Sequence, residues 1–252
     1  MSENRMIFIG AKESFISRVL VKKVKEAGVD VCFVPWSVDN INSNIDQVAL
    51  ITLFLDDEER PGEEVLHFLI DTMKEKDLQI VLAGEQQDIN FISDYFPDKL
   101  IYRTFPRPID NAVFTKTVAE YIRKAEAGEF RKSILIVDDD PQYLTMVREW
   151  LKGKYKVAMA NSGIQAIKWL GKNKADLIIL DHEMPVTSGP QVLEMIRSDA
   201  ETRSVPVMFL TGKGDKESVM GVLALKPEGY FLKGIDKDEL LEKLKDFFLL
   251  HK

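Results

Sequence analysis

Ten short apolar runs, most of five or six residues, are each followed by a stretch of helical periodicity, and this rhythm limits the fold more than any other feature of the chain. A run that is apolar at nearly every position must be covered on both faces. Such runs alternating with amphipathic helices describe parallel strands with helices on either side of the sheet, an α/β architecture.

In the first half the spacing predicts strands over 5–10, 29–34, 48–55, 78–82 and 100–103. Between and after them it predicts helices over 12–27, a short polar one in 36–46, one from past Gly62 to Lys74, one over 86–95 and one over 110–124. In the first helix Phe15, Val19 and Val24 fall near one face, with Lys22, Lys23 and Lys25 outside and Gly28 as the C-cap. The second half repeats the rhythm with strands over 133–137, 154–159, 175–180, 205–210 and 229–232. Its helices are expected over 141–152, 162–172, 189–198, 215–225 and 236–249. The two halves form an internal repeat of roughly 126 residues.

Composition turns polar between them, which places a domain at 1–125, a linker at 126–132 and a second domain at 133–252. Only Leu250, His251 and Lys252 lie beyond the last expected helix, so no output domain is expected after it.

The formal charge of -7 is uneven: the first 127 residues carry 15 basic and 22 acidic side chains, the remainder 19 of each. Neither half offers the net positive field of a nonspecific nucleic-acid binder, so no direct nucleic-acid partner is expected. There is no long apolar span and no signal core behind Met1-Ser2-Glu3-Asn4-Arg5, so the expectation is a cytoplasmic protein without membrane insertion. The single cysteine, Cys32, rules out an internal disulfide and reads as a small buried core residue.

Ligands of open parallel sheets bind beyond the carboxyl ends of the strands. In the second half those ends carry Asp138 and Asp139, then Asp181, Thr211 and Lys233. Three convergent carboxylates repel one another unless a cation lies among them, and a hard, oxygen-liganded ion such as Mg2+ suits them. A lysine and a hydroxyl facing them suit the oxygens of a phosphoryl group, and Asp181, alone at its strand end, is the natural acceptor. Asp140-Pro141 reads as a helix N-cap with proline at the first helical position.

Residues 133–250 resemble a two-component response-regulator receiver domain of the chemotaxis-regulator-like superfamily, through Asp138, Asp139, Asp181, Thr211 and Lys233 in that order. The resemblance implies a flavodoxin-like, doubly wound (βα)5 fold in each half, with strand order 2-1-3-4-5. It also implies that Asp138, Asp139 and Asp181 hold Mg2+ with the backbone carbonyl of Glu183, that Asp181 is phosphorylated, and that Thr211 and Lys233 contact the phosphoryl group. Tyr230 falls at the aromatic switch position. The partners implied are a sensor histidine kinase or histidine phosphotransfer protein, and then a downstream protein or the other half of the chain; a dimer is compatible with this. In catalytic terms the protein would act only on its own phosphorylation and dephosphorylation. Gly234 stands where the family usually has a cis proline, and Glu183 adds charge beside the acceptor.

The first half resembles the same fold without the chemistry, a pseudo-receiver. Gly10 and Ala11 align with the acidic pair, Ala83 with Thr211, Thr104 with Tyr230 and Arg107 with Lys233, while Phe54 or Asp56 lies opposite Asp181. Two other readings compete. A haloacid-dehalogenase-like phosphatase would use Asp138 and Asp140 as its Asp-x-Asp pair but leaves Asp181 without a purpose, and a silent tandem scaffold would leave the site unused.

Overall fold

The computed structural model describes residues 5–56, 60–212 and 225–251, except the side chain of Thr211. The chain divides into two compact units, Met1–Phe130 and Arg131–Lys252.

In the first unit the strands are β1 (Arg5–Gly10), β2 (Asp30–Pro35), β3 (Val48–Phe54), β4 (Gln79–Gly84) and β5 (Ile101–Pro106), all parallel, in the order β2-β1-β3-β4-β5. The helices are α1 (Phe15–Glu26), α2 (Val38–Asn44), α3 (Glu63–Lys76), α4 (Gln86–Ser93) and α5 (Asn111–Glu126). Because side chains alternate along a strand, one face of the sheet presents Met6, Phe8, Val81 and Ala83 to Leu20 and Val24 of α1 and Phe114 and Val118 of α5. The other face presents Ile7, Ile9, Ile51 and Leu82 to Ile41 of α2, Leu69 of α3 and Ile89 of α4.

The second unit repeats the plan with β6 (Ser133–Val137), β7 (Lys156–Ala160), β8 (Leu177–Leu180), β9 (Val207–Thr211) and β10 (Gly229–Leu232). Its helices among the described residues are α6 (Pro141–Leu151), α7 (Gly163–Leu170), α8 (Gly189–Ser198) and a closing α9 (Lys237–Leu250). The order β7-β6-β8-β9-β10, all parallel, is again 2-1-3-4-5 within the unit. Ile134, Ile136, Ile179 and Leu210 pack against α6 and α9, while Leu135, Val137, Leu180 and Phe209 pack against α7 and α8. Both units are therefore doubly wound five-stranded sheets. The expected helix over 215–225 falls almost wholly outside the described residues.

Four expectations are corrected. Ser14 caps α1 in a capping box with Ser17, which turns Ser17, Leu20 and Val24 inward and leaves Phe15, at the first helical position, 75% exposed. Cys32 lies on edge strand β2 and is half-buried, its Sγ accepting from Arg5 Nη2 at 3.0 Å. The strand expected from Lys154 begins at Lys156, because the N–H groups of Lys154 and Tyr155 still bond to the Leu151 carbonyl. Leu100 closes a short 3-10 turn, Asp98–Leu100, so the fifth strand starts at Ile101.

Candidate functional site

Strand β6 lies between β7 and β8, so successive connections leave it in opposite directions and open a crevice at the carboxyl edge. Asp138 follows β6 directly. Its N–H bonds to Ala160 O at 3.1 Å, its Oδ1 accepts from Asp140 N at 2.9 Å, and the residue is 2% exposed. Asp181 follows β8, its N–H bonds to Val137 O at 2.8 Å, and it is 4% exposed. Asp139 is exposed at the mouth. One carboxylate oxygen from each of the three lies within 4.8 Å of the others.

Lys233, just past β10, reaches into this cluster, with Nζ 2.6 Å from Asp138 Oδ2 and 3.2 Å from Asp181 Oδ2. Burial pushes the Asp181 carboxyl up to about 6, the Asp138 charge adds to the rise, and Lys233 with the His182 N–H holds it back. Burial alone would lower the Lys233 ammonium, but its bond to Asp138 and the charge of Asp181 prevail and raise it. Three carboxylates against one ammonium leave an excess of negative charge on a hard oxygen donor set. That is the chemistry a small divalent cation would complement.

Asp140 has a different task. Its Oδ1 accepts from Gln142 N at 2.8 Å and Tyr143 N at 3.3 Å, capping α6 ahead of Pro141 as the sequence suggests. The remaining sequence candidates take these places. Thr211 is the last residue of β9, paired in register with Leu232, the residue before Lys233. Tyr230 is half-buried in β10, its ring centroid 6.0 Å from that of Phe209. Glu183 is exposed in the loop after Asp181. That loop is drawn tight by Gly189, whose N–H bonds to His182 O at 3.0 Å; a Cβ there would stand 2.2 Å from the Asp181 carbonyl oxygen.

Tyr143 joins these residues although it is not among the candidates named from the sequence. From the third position of α6 its ring lies over Lys233, with Nζ 4.9 Å from the centroid. Burial and the charges of Asp138 and Asp181 push its phenol up to about 12. An aromatic in the first turn of the helix after the acidic loop was the available signal, because helical side chains lean back over the preceding loop.

Strand register aligns the two units. Ile9 pairs with Leu53 and Val137 with Leu180, so with Gly10 matched to Asp138, Phe54 and not Asp56 takes the place of Asp181. Phe54 pairs with Ala83 and Leu180 with Phe209, which matches Gly84, not Ala83, to Thr211. The pairs Gly84 with Pro106 and Thr211 with Leu232 then match Arg107 to Lys233. A side chain at Gly84 would strike the Leu55 carbonyl, 2.6 Å from an added Cβ, so no threonine fits there. Arg107 pairs instead with Asp56, lies over the Phe54 ring at 5.4 Å and precedes a cis Pro108.

Residues 134–245 match the family described as response regulator receiver domain. Chemotaxis protein CheY-3 of Vibrio cholerae serotype O1 is 31% identical over 117 residues, 46% of this chain and 90% of that protein. The phosphate regulon transcriptional regulatory protein PhoB of Pseudomonas aeruginosa is 32% identical over 115 residues, 45% of this chain and 50% of that protein. A probable cyclic di-GMP phosphodiesterase of V. cholerae is 39% identical over 85 residues, 34% of this chain but 19% of that protein. Among solved structures, V. cholerae CheY4 matches at 27% identity with a TM-score of 0.44, covering 46% of this chain and 98% of its own. The chain thus spans about a fifth or less of several curated relatives and 90% of CheY-3. It belongs to the response-regulator receiver family. Within that family it is a tandem form: the first unit repeats the receiver fold with Gly10, Ala11 and Phe54 where the second has its three aspartates. Among the described residues no helix is long and apolar enough to cross a membrane.

Proposed function

We propose that the second unit is a phosphoacceptor in two-component signalling, taking a phosphoryl group on Asp181 from the phosphohistidine of a histidine kinase or phosphotransfer protein in a Mg2+-dependent reaction. The observation that carries this reading is a buried Asp181 held 3.2 Å from the Lys233 ammonium, beside a second buried carboxylate, at the carboxyl edge of the sheet.

In this reading an Asp181 oxygen attacks phosphorus as the donor's P–N bond breaks, and the imidazole nitrogen keeps the electron pair. Hydrolysis later returns inorganic phosphate and the free carboxylate. Asp138, Asp139 and Asp181, with the Glu183 carbonyl, would hold Mg2+, which supplies neutralising charge to the phosphoryl oxygens. Lys233 turns from the carboxylates toward a phosphoryl oxygen, and Thr211, adjacent in register, donates its hydroxyl to another. Half-buried Tyr230, next to Phe209, reports the change at the surface of β10, where a downstream protein reads it. The first unit takes no phosphoryl group, because Gly10, Ala11 and Phe54 offer neither an acceptor at that position nor a metal pair.

The test is intact mass after incubation with acetyl phosphate and Mg2+. A single phosphoryl adduct that Asp181→Asn abolishes supports the reading. An adduct that persists in Asp181→Asn, or none in the wild type even after beryllofluoride is offered as a phosphoryl mimic, refutes it.

A further inference from the structure

Lys233 must hold one ammonium against two carboxylates, yet it is followed by Gly234, the residue that restrains its backbone least. Its own four-carbon stem is flexible as well. Something else has to place it. The turn after it is closed by the Ile235 N–H on Leu232 O at 2.9 Å, and Ile235 packs on the core cluster that also takes up Tyr143. Tyr143 is fixed from the other side, its N–H bonded to the Asp140 cap and its ring 4.9 Å below the Lys233 ammonium.

We propose that Tyr143 is a positioning residue for Lys233, its ring face holding the ammonium at the acidic cluster in the absence of a restraining proline. The first unit supports this by contrast. Its corresponding cation, Arg107, is followed by Pro108, whose ring restricts the loop, and lies over Phe54. There the aromatic at the start of the first helix, Phe15, is turned out to solvent at 75% exposure. The Tyr143 hydroxyl is buried and has no hydrogen-bond partner among the described residues, so the ring and not the hydroxyl is the working part. A cation over an aromatic face is stabilised most where water is excluded, as it largely is around these carboxylates.

The inference rests on the phosphoacceptor reading of Asp181, and its test separates the two. In the full chain with acetyl phosphate and Mg2+, Tyr143→Leu labels about tenfold more slowly than wild type, the size of a partly desolvated cation–aromatic contact. Tyr143→Phe retains the rate that leucine loses, and in a Lys233→Met background Tyr143→Leu slows labelling no further. In the protein without metal or phosphodonor, the Lys233 ε-methylene protons are shifted upfield by the ring in wild type and Tyr143→Phe and return to ordinary positions in Tyr143→Leu. Tyr143→Met serves the same purpose should the leucine variant fail to fold. The proposal is overturned if Tyr143→Leu labels at the wild-type rate, if it slows labelling equally without Lys233, or if the upfield shift is missing. A wild type that never labels refutes the phosphoacceptor reading, while the proton shifts still decide the role of Tyr143.

Discussion

Replacing Asp181 by asparagine removes the proposed acceptor, yet the structure predicts that the metal-free protein becomes more stable at neutral pH. Asp181 is 4% exposed and its carboxyl is raised from 3.8 to about 6, so the folded protein holds that proton more tightly than the unfolded chain does. Stability from this group is therefore present below the unfolded value and is lost as pH rises from 3.8 to about 6. The full loss corresponds to about 3 kcal/mol at neutral pH. Asparagine never ionises, and Lys233 keeps its 2.6 Å partner Asp138, so most of that loss is recovered, about 2–3 kcal/mol. The assay is urea unfolding of both proteins in a metal chelator from about pH 4 to about pH 8, following the transition that responds to the substitution. The gap between variants should open with rising pH and close at the acid end. Saturating Mg2+ should narrow it, because wild type has one more ligand to offer the ion. A variant less stable than wild type at neutral pH without metal, or a gap that ignores pH, would mean that burial does not dominate this carboxylate.

Mg2+ affinity measured by calorimetry should fall about tenfold per pH unit once the pH drops below the Asp181 value of about 6, since proton and metal compete for one carboxylate. Gly189→Ala should cost about 1–3 kcal/mol in urea unfolding and slow labelling, because the new Cβ lands 2.2 Å from the Asp181 carbonyl oxygen and the loop carrying the acceptor must shift. In the first unit, Asp88 is 3% exposed and receives Arg60 Nε at 2.8 Å and Nη2 at 2.6 Å. Arg60→Ala should therefore cost about 2–3 kcal/mol by stranding a buried charge, and removing both partners with apolar replacements should cost less.

The sheet was legible because its central strands are covered on both faces: Ile134–Val137 and Leu177–Leu180 are buried throughout and leave no other reading for such runs. Edge strands were harder. Cys32 and the start of β7 depend on which neighbours cover them, and composition does not record that. The site was legible where a charged residue directly ends a buried strand, as Asp138 and Asp181 do, and Asp140 was readable as a cap from the proline after it. Tyr143 was not, because its role depends on a lysine ninety residues away that arrives over the ring only once β10 is laid beside β9. The match of Gly84 to Thr211 likewise emerged from pairing register across three strands, which a residue count along one strand cannot supply.

In the proposed function one of two similar units takes the phosphoryl group, at one residue. The most direct measurement is peptide-level mapping of the full chain after brief treatment with acetyl phosphate and Mg2+, with the acyl phosphate trapped by borohydride reduction. Modification is expected only on the peptide containing Asp181, and none on peptides from residues 5–130. Modification at Asp56 in the first unit, or label in the second unit away from Asp181, would contradict it.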